Sequence, residues 1–121
     1  MGQPLGRLKR RAEFLTVAKS RLKRVAPGFV LQARARDDGD AAMRVGFTTS
    51  RKIGNAVRRN RARRRLREVA RLVVPAIGTI GTDYVLIGRQ DTATMPFTDL
   101  RTDLEAAISA LNEKQLARAS S

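Results

Sequence analysis

Residues 45–68 read VGFTTSRKIGNAVRRNRARRRLRE, and two periodicities meet inside them. Up to Ser50 the chain alternates. Val45, Phe47 and Thr49 share one face, and Arg44, Gly46, Thr48 and Ser50 share the other, which is the pattern of a half-buried strand. After Gly54 the period changes. Asn55 is placed to cap a helix that runs to about Val73, where Pro75, Gly78 and Gly81 end it. At about 100° per residue, Ala62, Leu66, Val69, Ala70 and Val73 form one apolar stripe. Asn60, Arg64, Arg67 and Arg71 fall on the opposite side as a ridge about 16 Å long. Arg61 and Arg65 flank it on one side and Arg63 on the other, while Arg58 and Arg59 lie near the helix start. A strand followed by a helix with one core face and one cationic face therefore organises the fold.

The cationic face needs a counterpart. Seven of the ten residues from Arg58 to Arg67 are arginine, and between Arg51 and Arg71 only Glu68 opposes ten basic residues. Solvated helices usually interleave acids with bases. Arginine also suits planar, bidentate contact with phosphate. Of the 121 residues, 1–71 carry a net +16 and 72–121 a net −2, giving +14 in all. Such a surface points to a polyanion, with nucleic acid ahead of an anionic membrane. A membrane-surface helix would insert large apolar residues, and this one offers Ala, Leu and Val.

Working outward, KRRAEFLTVAK (9–19) reads as a short basic helix with Ala12, Leu15 and Ala18 on one face and Phe14 to one side; residues 1–8 look loose. Pro27-Gly28 is a break. GFVLQARAR (28–36) alternates, with Phe29, Leu31, Ala33 and Ala35 inward and Val30, Gln32, Arg34 and Arg36 outward. With 43–50 it suggests a hairpin. DDGD (37–40) between them is turn chemistry, since the closing Glu of a calcium loop is missing. DYVLIGR (83–89), apolar on both sides, suits a central strand. Thr98 can cap a last helix with Leu100, Leu104, Ile108 and Leu111 as its buried stripe, and a frayed tail is expected from Glu113 to Ser121. The result is one small α+β domain over residues 9–112, with no internal repeat.

Chemistry is harder to place. There is no histidine and no cysteine. Three of the five carboxylates in the basic part share one turn, Glu68 lies among arginines, and Glu13 stands alone. Asp99, Asp103 and Glu105 sit in a helix whose first turn favours acids. Metal-assisted phosphodiester hydrolysis wants clustered carboxylates, so no catalytic or metal residue is assigned. No signal-peptide core and no window of about 18 apolar residues is visible, which suggests a cytoplasmic binder with no membrane partner.

The stretch 45–68 resembles the signature of the bacterial ribonuclease P protein subunit. In that family a strand ends in a basic pair and Gly-Asn-Ala-Val, followed by Arg-Asn-Arg, further basic positions and Arg-Glu. Here these are Arg51-Lys52, Gly54 to Val57, Arg59-Asn60-Arg61, Arg63-Arg64 and Arg67-Glu68. AEFLTVAK and DYVLIGR extend the likeness over about residues 9–112. The resemblance implies a mixed sheet with the N-terminal helix on one face and the arginine-rich and C-terminal helices on the other. It also implies a left-handed βαβ crossover, as in a ribosomal-protein domain of this type, where general rules favour the right hand. It implies a protein, monomeric within the ribonucleoprotein, that binds ribonuclease P RNA and precursor tRNA. The RNA, with Mg²⁺, cleaves the 5′ leader, and the protein itself holds no cofactor strongly. The implied RNA contacts are Arg51, Lys52, Asn55, Arg58, Arg59, Asn60, Arg61, Arg63, Arg64, Arg65, Arg67 and Arg71. The implied leader cleft contains Phe14, Gln32, Arg34, Arg44 and Thr48. Two departures stand out. Ala18 and Gln32 occupy places where the family often has aromatics, and Arg65 replaces a commonly apolar residue. A basic ribosomal protein or other structural RNA binder is the leading alternative. A stand-alone nuclease lacks its carboxylates, and a DNA reader would carry fewer arginines.

Overall fold

A computed structural model describes residues 5–120, with side chains through Gln115. The elements are β1 (Leu5–Arg7), α1 (Arg11–Lys19), β2 (Leu22–Ala26), β3 (Phe29–Ala35), β4 (Met43–Thr49), α2 (Ala56–Ile77), β5 (Thr82–Gly88) and α3 (Phe97–Ser120). Short 3₁₀ turns span Arg51–Ile53 and Gln90–Ala93. The strands form one mixed sheet in the order β1-β4-β5-β3-β2. β1 and β5 run parallel to β4, while β3 runs antiparallel to β5 and β2.

Helices cover the two faces unequally. On one side α2 and α3 bury the main core, in which Phe29, Leu31, Val45, Tyr84 and Leu86 meet Leu66, Val69, Val73, Leu100, Leu104, Ile108 and Leu111. On the other, Leu8, Val17 and Val85 form a small cluster with Phe14 and Ile87 at its margin. α1 is too short to cover that face. The α+β architecture with its helices on opposite faces is as expected, and β4 and β5, parallel neighbours joined through α2, make the βαβ unit.

Several expectations are corrected. The strands 28–36 and 43–50 do not form a hairpin, because β5 lies between them. Alternation fixes which face a strand shows but not its neighbour, and the doubly apolar β5 takes the centre. The hairpin instead joins β2, which sequence reading missed, to β3 through Pro27-Gly28. Residues 5–7 of the segment expected to be loose pair with β4; residues 1–4 lie outside the described residues. α1 turns Phe14 and Val17 to the sheet and leaves Ala12, Leu15 and Ala18 exposed. The bulkier stripe of the helix wins the core. α2 continues through Pro75 to Ile77, because buried Val73 and Val74 hold its last turn on the sheet. α3 extends as backbone helix to Ser120, beyond the fraying expected at Glu113. Ala35, expected inward, is exposed where β3 ends.

Candidate RNA interface

The arginine helix begins where three local devices coincide. The Ser50 hydroxyl accepts from the Lys52 amide at 3.2 Å and starts the 3₁₀ turn. Gly54 follows at φ 123°, a conformation other residues adopt only with strain. Asn55 then caps α2, its Oδ1 accepting from the Arg58 amide at 3.0 Å. The predicted stripe Ala62, Leu66, Val69, Ala70 and Val73 is buried. The predicted ridge Asn60, Arg64, Arg67 and Arg71 is exposed, as are Arg51, Lys52, Arg58 and Arg61.

The cations are not equivalent. Every ion pair among the described residues involves Arg36 or Arg44, so no arginine of α2 is neutralised by a carboxylate. Arg59 donates to the Gly54 carbonyl at 3.0 Å, and Arg58 reaches the Gln90 carbonyl at 3.5 Å. Half-buried Arg63 donates to Asn60 Oδ1 at 2.5 Å, which orders the amide on the ridge. Arg65 departs from the set. It turns inward and donates through Nη2 to the Met95 carbonyl, while its Nε is buried without a partner. It fastens α2 to the segment before α3 and so has a structural tie that the ridge arginines lack. Arg64, Arg67 and Arg71 instead border a groove of about 440 Å³, whose other wall is Leu5, Gly6 and Arg7 of β1.

On the sparsely covered face, strand register brings the residues named for the cleft near one another. Gln32 and Gly46 flank Val85, Val30 and Thr48 flank Ile87, and Arg34 and Arg44 flank Asp83. Phe14 enters from α1 over Gly46, where an added Cβ would lie 2.6 Å from its ring. β2 supplies two residues that sequence reading missed, Lys23 beside Gln32 and Val25 beside Val30. Val25 is 57% exposed. LKRVA does not alternate in polarity, so no local pattern marks it as a strand, and its pairing with β3 is what defines it.

Two arginines expected on the open face of the sheet are engaged by a carboxylate instead, Arg36 buried and Arg44 half-buried. Arg36, 8% exposed, donates to Asp83 Oδ1 at 2.8 Å and to the carbonyls of Asp40 and Ala42. Arg44 grips Asp83 with Nε and Nη2, both at 2.7 Å, and gives Nη1 to Glu13 at 3.2 Å. The bond to Asp83 raises the Arg44 pKa against the opposing effect of burial. Glu13 Oε1 accepts from the amides of Arg10 and Lys9, and these bonds, with the Arg44 charge, hold its carboxyl below the ordinary range. Arg34 and Arg44 are both half-exposed, but the charge of Arg44 is engaged by Asp83 and Glu13, whereas Arg34 has no carboxylate partner among the described residues. In the acidic turn, Asp38 and Asp40 accept backbone amides and Asp38 pairs with Arg36. Among the described residues no group of three carboxylates converges as a metal-ligand set, and no helix is long and apolar enough to cross a membrane.

A single α+β domain with an unneutralised arginine ridge and a shallow half-covered cleft defines a polyanion-binding protein, and the arginine chemistry makes that polyanion a nucleic acid. Comparison with known proteins narrows it. The Ribonuclease P family model matches residues 4–112. The ribonuclease P protein component of Ruegeria pomeroyi is 54% identical over 107 residues, covering 87% of this chain and 85% of that protein. That of Paramagnetospirillum magneticum is 49% identical over 118 residues, covering 95% and 89%. Among solved structures, the ribonuclease P proteins of Staphylococcus aureus and Thermotoga maritima superpose with TM-scores of 0.71 and 0.68 at 28% and 31% identity. They cover 86% and 81% of this chain, and 93% and 90% of theirs. The chain belongs to the ribonuclease P protein family: it is the RNA-binding, non-catalytic subunit of an RNA-based endoribonuclease, which sets aside the ribosomal, nuclease and DNA-reading alternatives.

Proposed function

We propose that α2 binds ribonuclease P RNA through Arg64, Arg67, Arg71 and Asn60, with Arg51, Lys52, Arg58, Arg61 and Arg63 extending the contact. Precursor tRNA is the second partner. Its 5′ leader lies between α1 and the uncovered part of the sheet, along Phe14, Gln32, Thr48 and Arg34. The protein acts as a monomer within a cytoplasmic ribonucleoprotein, and Mg²⁺ serves the RNA. The observation that carries this reading is the ridge, which is exposed, ordered by its helix and free of carboxylate partners among the described residues. Its test is Arg64→Ala with Arg67→Ala. Both side chains point away from the core, so circular dichroism should be unchanged. Affinity for the RNA should fall, and the salt slope should shrink by about 0.7 to 0.9 for each phosphate that is no longer neutralised. Unchanged affinity and slope would mean that the ridge meets only solvent.

A further inference from the structure

α1 is held to the sheet by little apolar packing. Val17 is its one buried side chain, and Phe14 packs only at the margin of the small cluster. Polar ties hold its two ends. At the C-terminal end the Ser20 hydroxyl reaches the Ala33 carbonyl at 2.5 Å. At the N-terminal end stands a chain of charges. Asp83, 2% exposed on the central strand, is bound by two guanidiniums. One of them, Arg44, spans from Asp83 to Glu13 Oε2, and Glu13 Oε1 closes the first turn of α1. Phe14 is the next residue, seated over Gly46 on the strand that carries Arg44.

We infer that Glu13 is a positioning residue for the leader: the Glu13–Arg44–Asp83 chain ties the first turn of α1 to β5 and thereby fixes where Phe14 stands against the uncovered sheet. This rests on the proposed leader cleft. Glu13 places an anion beside a strand that binds an anion, which is unfavourable for direct contact. Its role is geometric, to hold a half-buried ring in place before the leader arrives and so reduce the ordering cost of binding.

The test uses Glu13→Gln in the full chain assembled with its RNA. The glutamine oxygen still accepts the Lys9 and Arg10 amides, so the helix cap is kept while the anion facing Arg44 is lost. Affinity for precursor tRNA should fall by about threefold or more, the low end of couplings between touching residues. Affinity for mature tRNA should stay the same. Phe14→Ala alone should cost about tenfold on the precursor, since stacking one base is worth about 1–3 kcal/mol. The double variant should lose no more than Phe14→Ala, because Glu13 acts through Phe14. With fluorophenylalanine in the chain, Glu13→Gln should move the Phe14 resonance and leave that of buried Phe29 in place.

Other outcomes overturn the inference in separate ways. Tighter precursor binding in Glu13→Gln would show that Glu13 merely masks Arg44 from phosphate. Losses that add in the double variant would give Glu13 an independent role. If Phe14→Ala is specific to the precursor and Glu13→Gln is silent, the positioning role fails alone. If Phe14→Ala weakens both tRNAs alike, the cleft reading falls and the inference with it.

Discussion

Arg64 and Arg65 are neighbours with the same side chain and opposite fates. Arg64 is exposed on the ridge, whereas Arg65 turns toward the Met95 carbonyl with its Nε buried and unpartnered. One residue of helix, about 100°, separates them. A buried donor without an acceptor costs about 1–3 kcal/mol, so Arg65 is a poor use of a position that an apolar side chain would fill. Arg65→Leu should therefore leave the melting temperature unchanged or raise it, and should weaken RNA binding less than Arg64→Ala does. Thermal unfolding and a titration with the RNA check this. A loss of affinity equal to that of Arg64→Ala would place Arg65 in the interface. Arg36 and Arg44 repeat the lesson, since Arg44 sits on an outward position of β4 and Arg36 just past the end of β3, yet both close on Asp83. Their charge was plain in the sequence. The carboxylate they meet lies 47 and 39 residues away along the chain, and no local pattern reports it.

Elements were legible in proportion to their length and the regularity of their pattern. α2, β3, β4 and the buried stripe of α3 follow from periods of 3.6 and 2, and β5 from its doubly apolar run; apart from Ala35 their inward faces agree. α1 has nine residues, with Ala12/Leu15/Ala18 on one stripe and Phe14/Val17 on another. Periodicity cannot rank two short stripes, and the sheet selects the bulkier one. β1 has three residues and is defined by pairing with β4 rather than by its own sequence. The cap of α2 belongs to the legible part, because Asn before a helix satisfies an amide the helix cannot. Replacing Asn55 with Ala should cost about 1 kcal/mol and lower the melting temperature by about 2–8 °C for a chain of this size. It should weaken RNA binding only through the loosened first turn, where Arg58 and Arg59 stand. Calorimetry measures the first effect. An unchanged melting temperature would show that Gly54 and the 3₁₀ turn hold the helix start without the cap.

The molecule as a whole separates its charges. The ridge of α2 and the cleft under α1 lie on opposite faces of one sheet, and the carboxylate-richer residues after 71 lie mostly in β5 and α3. Under the proposed function, this arrangement lets one face meet a large RNA while the other is left for a single strand. With precursor tRNA as the proposed second partner, the net charge of +14 would act as a counterion does, by lowering the repulsion between the two RNA molecules. Mg²⁺ supplies the same screening in bulk. The protein should therefore raise the rate of leader removal by the RNA most at low Mg²⁺, and its benefit should shrink as Mg²⁺ or monovalent salt rises. Arg64→Ala with Arg67→Ala, which removes two positive charges, should shift the Mg²⁺ requirement of the assembled enzyme upward. Cleavage of precursor tRNA measured across a Mg²⁺ series, with and without protein, decides the point. A benefit that stays constant at every Mg²⁺ concentration would show that the protein contributes by geometry alone. Steady cleavage by protein freed of RNA would move the chemistry onto a chain that has no histidine or cysteine to carry it.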